Sequence, residues 1–332
     1  MPEIRQNFAS GEWVVVAPER AMRPGDFARP ERRTVTSRPE YVATCAFCPG
    51  NESQTPPQVL QLPRHGPWQV RVVPNKYPAL HNNSPRQVNS DDVNLSLAGV
   101  GYHEVVVEAR QHNLSPALQT TEQVTRTLTA LQMRGRTMAQ DRRIRQVVYV
   151  KNHGPAAGTS REHPHAQIIA LPLLPPRTQA HNETAQRYFE AKGVCPFCAM
   201  WQAELTAGER LVAESAHLAA FVPYAAPAAY HTWIVPKRHG ASFCDALPAE
   251  VDDLGELLRD LLRRLYVGLD DPDFNYVIQS APVDGSHSPF LHWYLAITPR
   301  LVPWGGFELG TGMFINTALP EENARFLREV VI

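Results

Sequence analysis

Apolar positions along this chain fall mostly into short runs that alternate with polar residues, and only two stretches carry apolar residues at helical spacing. The short runs 13–16, 70–73, 101–108, 146–151 and 165–171 read as strands of a first half. Between the third and fourth of them, Val124, Leu128, Leu131 and Met138 recur at helical spacing from Glu122 to about Gln140, with Thr120 and Thr121 available as caps. The second half runs through the same order: strands at 218–222 and 232–235, a helix at about 249–265, then strands at 275–279 and 293–297. Leu254, Leu257, Leu258, Leu261, Leu262 and Leu265 make the apolar face of that helix. A short helix over 182–192 bridges the halves, after the prolines at 172, 175 and 176. The pattern predicts an α+β fold in which one unit is duplicated, with residues 1–178 as the first copy and 179–332 as the second.

Composition narrows the function. The chain has 332 residues with 43% apolar content, enough for two compact cores. Lys plus Arg number 32 against 33 Asp plus Glu, so no global basic field advertises nucleic acid or an anionic membrane. Any phosphate must be met by a local site. No apolar stretch reaches bilayer-spanning length, and the first residues lack the apolar core of a signal peptide, so the expected compartment is the cytosol.

The cysteines stand at 45, 48, 195, 198 and 244, two Cys-x-x-Cys pairs and one left over. In a reducing compartment such pairs favour metal over a structural disulfide, although a thiol or redox pair is the alternative. The duplication adds a second signal. Cys45, Cys48, His112 and His163 hold the same relative places as Cys195, Cys198, His239 and His292, which predicts two structural four-ligand Zn2+ sites tying an early turn to two later strands. His231 is the nearest rival to His239. Cys244 reads as a small buried apolar residue, and His103, His153 and His217 as surface or satisfied core histidines.

The densest chemistry lies at His163-Pro164-His165-Ala166-Gln167. Alternate side chains of a strand share a face, so His163, His165 and Gln167 project together; His163 is then free to bind metal while His165 faces a cleft beside it. A neutral imidazole is a good nucleophile toward activated phosphorus. The preceding loop, Asn152-His153-Gly154-Pro155-Ala156-Ala157-Gly158-Thr159-Ser160, is built of small residues that allow close backbone approach to phosphate oxygens, with Ser160 as a further donor. In the second half the matching motif reads His292-Trp293-Tyr294-Leu295-Ala296: the metal histidine is kept, and the nucleophile and glutamine are lost. One active site per chain follows. A second metal-binding strand without catalysis is the competing interpretation.

Together these residues resemble the galactose-1-phosphate uridylyltransferase branch of the histidine-triad superfamily, including its ADP-glucose phosphorylase type. The likeness runs over nearly the whole chain: the stretch from Gly11 to Arg20, both Cys pairs, Val73-Pro74-Asn75, the block from Asn152 to Gln167, and Gly305-Gly306-Phe307-Glu308. The resemblance implies two tandem histidine-triad-like domains, a homodimer with shared active sites, and double-displacement transfer of a nucleotidyl group from a nucleotide sugar, UDP-glucose or ADP-glucose, to a sugar 1-phosphate or to phosphate. It implies His165 as nucleophile and Gln167 as holder of the phosphoryl oxygens. Asn152, Gly158 and Ser160 would line the phosphate and ribose region, and Asn75 would meet the base. Arg20 and Arg23 would reach phosphates across a dimer interface, and Phe307 and Glu308 would contact the sugar. The metal is structural and no organic cofactor is implied. The leading expectation is uridylyl transfer between glucose and galactose 1-phosphates. The runner-up is an ADP-glucose phosphorylase, and a nucleotide hydrolase or a turnover-free sensor are the readings from other classes.

Overall fold

The computed structural model describes residues 1–20 and 38–332. In chain order it contains β1 (Glu3–Gln6), β2 (Trp13–Val16), β3 (Leu60–Leu62), β4 (Val70–Pro74), β5 (Val88–Ser90), β6 (Leu95–Leu97), β7 (Tyr102–Val107), α1 (Thr121–Ala139), β8 (Gln146–His153) and β9 (His165–Leu171). There follow α2 (Pro176–Lys192), α3 (Pro196–Ala207), β10 (Leu211–Glu214), β11 (Leu218–Phe221), β12 (Thr232–Pro236), α4 (Pro248–Gly268), β13 (Phe274–Gln279), β14 (Tyr294–Pro299), α5 (Gly306–Thr311), β15 (Phe314–Asn316) and α6 (Pro320–Glu329). The α+β class is as expected.

Ten of these strands form one sheet in the order β10-β11-β12-β14-β13-β8-β9-β7-β4-β3, with each adjacent pair antiparallel. The halves meet at β13 and β8, where Phe274 faces His153 and Ile278 faces Tyr149. Counted outward from this seam, each half presents its fourth, fifth, third, second and first strand. The same topology is therefore written twice, and the sheet passes unbroken from one half to the other.

Both long helices cover one face. Thr120 caps α1 by accepting from the backbone of Gln123, and Val124, Leu128, Leu131 and Met138 are buried, as their spacing requires. At α4 the Glu250 carboxylate accepts from Leu247 N at 2.8 Å, and all six leucines of the predicted stripe are buried. The two helices approach closely at Gly255, where a Cβ would stand 2.0 Å from Thr125 Oγ1. Ala166, Ile168 and Ala170 of β9 point into this helical core, and His165, Gln167 and Ile169 point to the opposite face.

The motif strand opens at His165, as the run 165–171 predicts, and His163 stands just before it, because Pro164 offers no N–H to a ladder; its carbonyl instead accepts from Glu108 N at 3.1 Å. The linking helix starts at Pro176 rather than at 182, with its proline in the first turn where the missing N–H costs nothing. A separate small sheet joins β1 and β2 to β15, β15 lying parallel to β2, so the start of the chain is held beside the segment around α5. Among the described residues, no helix is long and apolar enough to cross a membrane.

Candidate active site and metal centres

The metal candidates converge as the spacing predicts. Cys45, Cys48, His112 and His163 place one ligand atom each within 4.8 Å of one another, and so do Cys195, Cys198, His239 and His292. A tetrahedral zinc with sulfur and nitrogen ligands at their usual distances sets sulfur–nitrogen edges of about 3.5 Å. Here His163 Nδ1 lies 3.8 Å from Cys45 Sγ and 3.6 Å from Cys48 Sγ, and His112 Nδ1 lies 3.6 Å from Cys48 Sγ. In the second group the corresponding separations are 4.0, 3.5 and 3.5 Å. Three of the four histidines donate their other nitrogen to a backbone carbonyl: His163 to Ala109 at 2.8 Å, His292 to Pro236 at 2.9 Å and His239 to Ser288 at 3.1 Å. That bond puts the proton on Nε2 and leaves the Nδ1 lone pair facing the sulfurs, as a metal ligand requires. Burial pushes the His163 imidazolium down to about 4, which keeps the ring neutral. The donor sets fit two metal ions.

The first group is fully buried, whereas Cys198 is half-exposed and His239 exposed. The local backbone explains the difference. Cys45 and Cys48 sit in a turn closed by Cys48 N donating to Cys45 O at 3.1 Å, beneath Phe47 and Trp68. Cys195 is the N-terminal cap position of α3, and Cys198 rides on its first turn.

Next to the first metal group is a cleft of about 480 Å³ on the face away from the helices, lined by His165, Gln167, Ser160, Arg161, Asn75, Lys76, Phe47 and Thr55, among others. A narrower space of about 160 Å³ continues along Asn152, Gly154, Ser160 and His165. His165 borders both. Its Nδ1 lies 2.9 Å from the His163 carbonyl, an acceptor only, so Nδ1 carries the proton and Nε2 the lone pair. Burial lowers its pKa to about 4, against the opposing backbone hydrogen bond and helped by Lys151 and Arg161, so the ring is neutral at pH 7. Phe47 packs against both His165 and His163, with centroids at 5.6 and 6.0 Å.

In the loop before the strand, Gly154 makes room for the chain's own Asp273. Gly154, at φ 81°, stands where a Cβ would meet Asp273 Oδ1 at 1.8 Å, and Asp273 accepts from Ala156 N at 2.6 Å. Gly158 closes the 155–157 turn in the left-handed region, and Asn275 on the neighbouring strand donates to Asn152 Oδ1 at 2.8 Å and to the Ala157 carbonyl at 2.9 Å. Beneath it, Lys151 and Glu108 form an ion pair at 2.5 Å, each only 1% exposed, and Lys151 Nζ also donates to the His165 carbonyl at 3.2 Å.

His165, Gln167, Ser160 and Asn75 are thus brought to one cleft, and Asn152 to its extension. Arg20, Phe307 and Glu308 do not line it. Glu308 caps α5, accepting from Gly305 N at 2.8 Å, and its carboxyl is held low, its backbone hydrogen bonds and nearby Arg20 outweighing partial burial. Phe307 is exposed beside it. Arg23 lies outside the described residues. Arg161 and Lys76 line the cleft without having been singled out from sequence, and Arg161 sits over the Phe47 ring at 5.6 Å. His103, read as an ordinary histidine, touches Gln167 through Nε2 at 2.7 Å.

One sheet of duplicated topology, two Cys/His groups and a lone-pair-bearing histidine in a polar cleft are the setting of a nucleotidyltransferase. The chain belongs to the galactose-1-phosphate uridylyl transferase family: the family model described as the N-terminal domain of that enzyme matches residues 1–175. It is 35% identical to an ADP-glucose phosphorylase of Arabidopsis thaliana over 99% of this chain and 93% of the relative, and 29% identical to a galactose-1-phosphate uridylyltransferase of Thermotoga maritima over 100% and 99%. Among solved structures it resembles the Arabidopsis thaliana ADP-glucose phosphorylase with bound ADP-glucose at a TM-score of 0.85 and 32% identity, covering 100% and 99% of the two chains. A structure described as a uridylyltransferase matches at 0.76 and 28%, covering 99% and 98%.

Proposed function

We propose that this protein transfers a nucleoside monophosphate from a nucleoside diphosphate sugar to a phosphate-bearing acceptor through a covalent adduct on His165. The observation that carries this reading is the hydrogen bond from His165 Nδ1 to the His163 carbonyl, which leaves Nε2 unprotonated in the cleft. Nε2 attacks the α-phosphorus; the P–N bond forms as the P–O bond to the sugar 1-phosphate breaks, and that phosphate departs with the electron pair. The positive charge left on the ring is shared with the Nδ1–H bond to the carbonyl. A phosphate oxygen of the acceptor then attacks the same phosphorus and releases the neutral imidazole. Gln167 and Ser160 donate to the phosphoryl oxygens, Asn152 and Gly158 border the ribose and phosphate, and Asn75 meets the base. Each metal group holds a structural Zn2+.

Arg20, Arg23, Phe307 and Glu308 would serve the cleft of a partner copy, which the placement of Arg20 and Glu308 together, away from the His165 cleft of their own chain, supports. The reading takes the chain as two repeats, 1–178 and 179–332, working as a cytosolic homodimer. Among substrates, the expectation from sequence was uridylyl transfer. The likeness favours the adenylyl alternative, with ADP-glucose as donor and phosphate as acceptor, because identity and TM-score are both higher for that type.

The test is to incubate the protein with UDP-glucose and with ADP-glucose labelled at the α-phosphate, quench, and look for acid-labile label on protein. Label from ADP-glucose discharged by phosphate establishes the phosphorylase; label from UDP-glucose discharged by galactose 1-phosphate establishes the uridylyltransferase. No label from either, with metal in place, removes the covalent mechanism.

A further inference from the structure

Gln167 has a primary amide whose two ends present opposite chemistry to the cleft: the oxygen repels phosphoryl oxygens and the nitrogen donates to them. Something must decide which end turns inward. His103, on β7, lies next to it, with Nε2 2.7 Å from Gln167 Oε1. On the other side of the ring, the backbone N–H of Ala79 points at Nδ1 at 3.1 Å. A backbone N–H only donates, so Nδ1 is an acceptor and the single proton of the neutral ring sits on Nε2. That proton is donated to Gln167 Oε1, and the Gln167 NH2 is left for the cleft. The Asn75 nitrogen, 3.1 Å from the same Nε2, is then a packing neighbour. Its own amide is oriented separately, through Tyr77 N donating to Asn75 Oδ1 at 3.0 Å. Two of the three contacts around the ring require the Nε2–H form.

The duplicated half makes the same position legible by contrast. In register, His103 opposes Ile169 on β9, and extending the β12–β14 pairing by one residue places His231 opposite Thr298, the equivalent position. His231 accepts from Trp233 Nε1 at 2.8 Å and engages Thr298 Oγ1 through Nδ1 at 2.9 Å. Where Gln167 would stand there is Ala296. The second histidine is spent on its own neighbours, and the first on the glutamine.

We infer that His103 is a positioning residue for nucleotidyl transfer: the Ala79 N–H fixes its tautomer, and through Nε2–H it holds the Gln167 amide with its nitrogen toward the transferred phosphoryl group. The inference rests on the role proposed for Gln167. His103→Phe keeps the ring volume and removes the donor. It should lower the rate of protein labelling and of discharge by about 10- to 100-fold, with KM little changed, because the lost interaction is made in the transition state. His103→Gln, which carries an N–H near the Nε2 position, should recover most of the rate. In a Gln167→Ala background, His103→Phe should cost less than about 3-fold more, since a residue acting only through Gln167 has nothing left to act on.

Multiplying losses in the double variant would mean that His103 supports the cleft in some other way and would overturn the inference, as would a wild-type rate in His103→Phe. A readout free of turnover separates this from failure of the proposed reaction. With 15N-glutamine-labelled protein, the side-chain amide signal that vanishes in Gln167→Ala should move in His103→Phe and return in His103→Gln. An unmoved signal overturns the hydrogen bond whatever the enzyme acts on, whereas wild-type protein that takes no label while that signal moves as expected refutes the reaction and the positioning role with it, leaving only the hydrogen bond.

Discussion

The two halves of the sheet share a strand order, a helix on the same face and a Cys/His group at the same place, yet they present different surfaces beside those groups. In the first half, His165 and Gln167 stand over a cleft of about 480 Å³ with Arg161 and Lys76 on its walls. In the second, Tyr294 and Ala296 occupy those positions, and the Trp233 indole, at the position of Val105, stacks on Tyr294 at 4.2 Å and leaves about 280 Å³. An aromatic pair of this kind supplies packing rather than reactivity. The frame is thus indifferent to side-chain chemistry: the same backbone hosts a histidine open to a cleft or a stacked core, depending on a few side chains on one face of two strands.

The largest expected effect tests that asymmetry directly. His165→Ala should lower nucleotidyl transfer by about 10^4-fold or more, whereas Tyr294→Phe should leave it within about 2-fold, measured as labelled protein and as turnover. Comparable losses from both would mean that the second half takes part in the chemistry. Beneath the active half, Lys151→Met should cost about 3 to 5 kcal/mol in urea denaturation, because it strands the buried Glu108 carboxylate. The equivalent residue of β13, Ile278, brings no charge to the seam.

Smaller differences separate the metal groups and the helices. With Cys198 half-exposed and His239 exposed, a chelator followed with a zinc-sensitive dye should empty the second site first; Cys48→Ser, in the buried site, should lose one metal and most of the soluble protein, and Cys198→Ser one metal with smaller loss of yield. Simultaneous release would remove the distinction. Gly255→Ala should cost about 1 to 3 kcal/mol by forcing α4 away from Thr125.

The smallest predicted effect concerns pH. Burial holds His231 at about 4, with Glu12 raising and Arg177 lowering it slightly. Its folded pKa is thus below its unfolded value near 6.5, so the unfolded chain binds the extra proton between those values. Stability is complete above about pH 6.5 and falls as pH drops toward 4. Denaturation midpoints at pH 5 and pH 7.5 should differ less in His231→Gln than in the wild type.

Much of the fold was legible because its signals are periodic. The leucine stripe of α4 and the caps of α1 are local facts, and the recurrence of strand, strand, helix, strand, strand made the duplication visible without alignment. The metal groups were legible for a related reason: two Cys-x-x-Cys pairs with matching histidines constrain each other. What escaped was whatever depends on neighbours far apart in the chain. Arg161 and Lys76 are ordinary surface cations until β4 and the 154–161 loop are folded beside one cleft. His103 looked like an unremarkable histidine and His231 like a rival metal ligand, and the signal that could have tied them together was their equivalent place in the two copies.

The sequence by itself determined that this is a duplicated α+β protein, that each copy carries a Cys/His group able to hold a metal, and that only the first keeps His165 and Gln167, since period, spacing and residue type are properties of short segments. The tertiary structure alone decided that the copies fuse through β8 and β13 into one sheet, that the His163 carbonyl sets the proton of His165, and that Ala79 sets the proton of His103. Tautomers and register are chosen by hydrogen-bond geometry, and that geometry, even between His165 and His163 two residues before it, is set only once the chain has closed on itself.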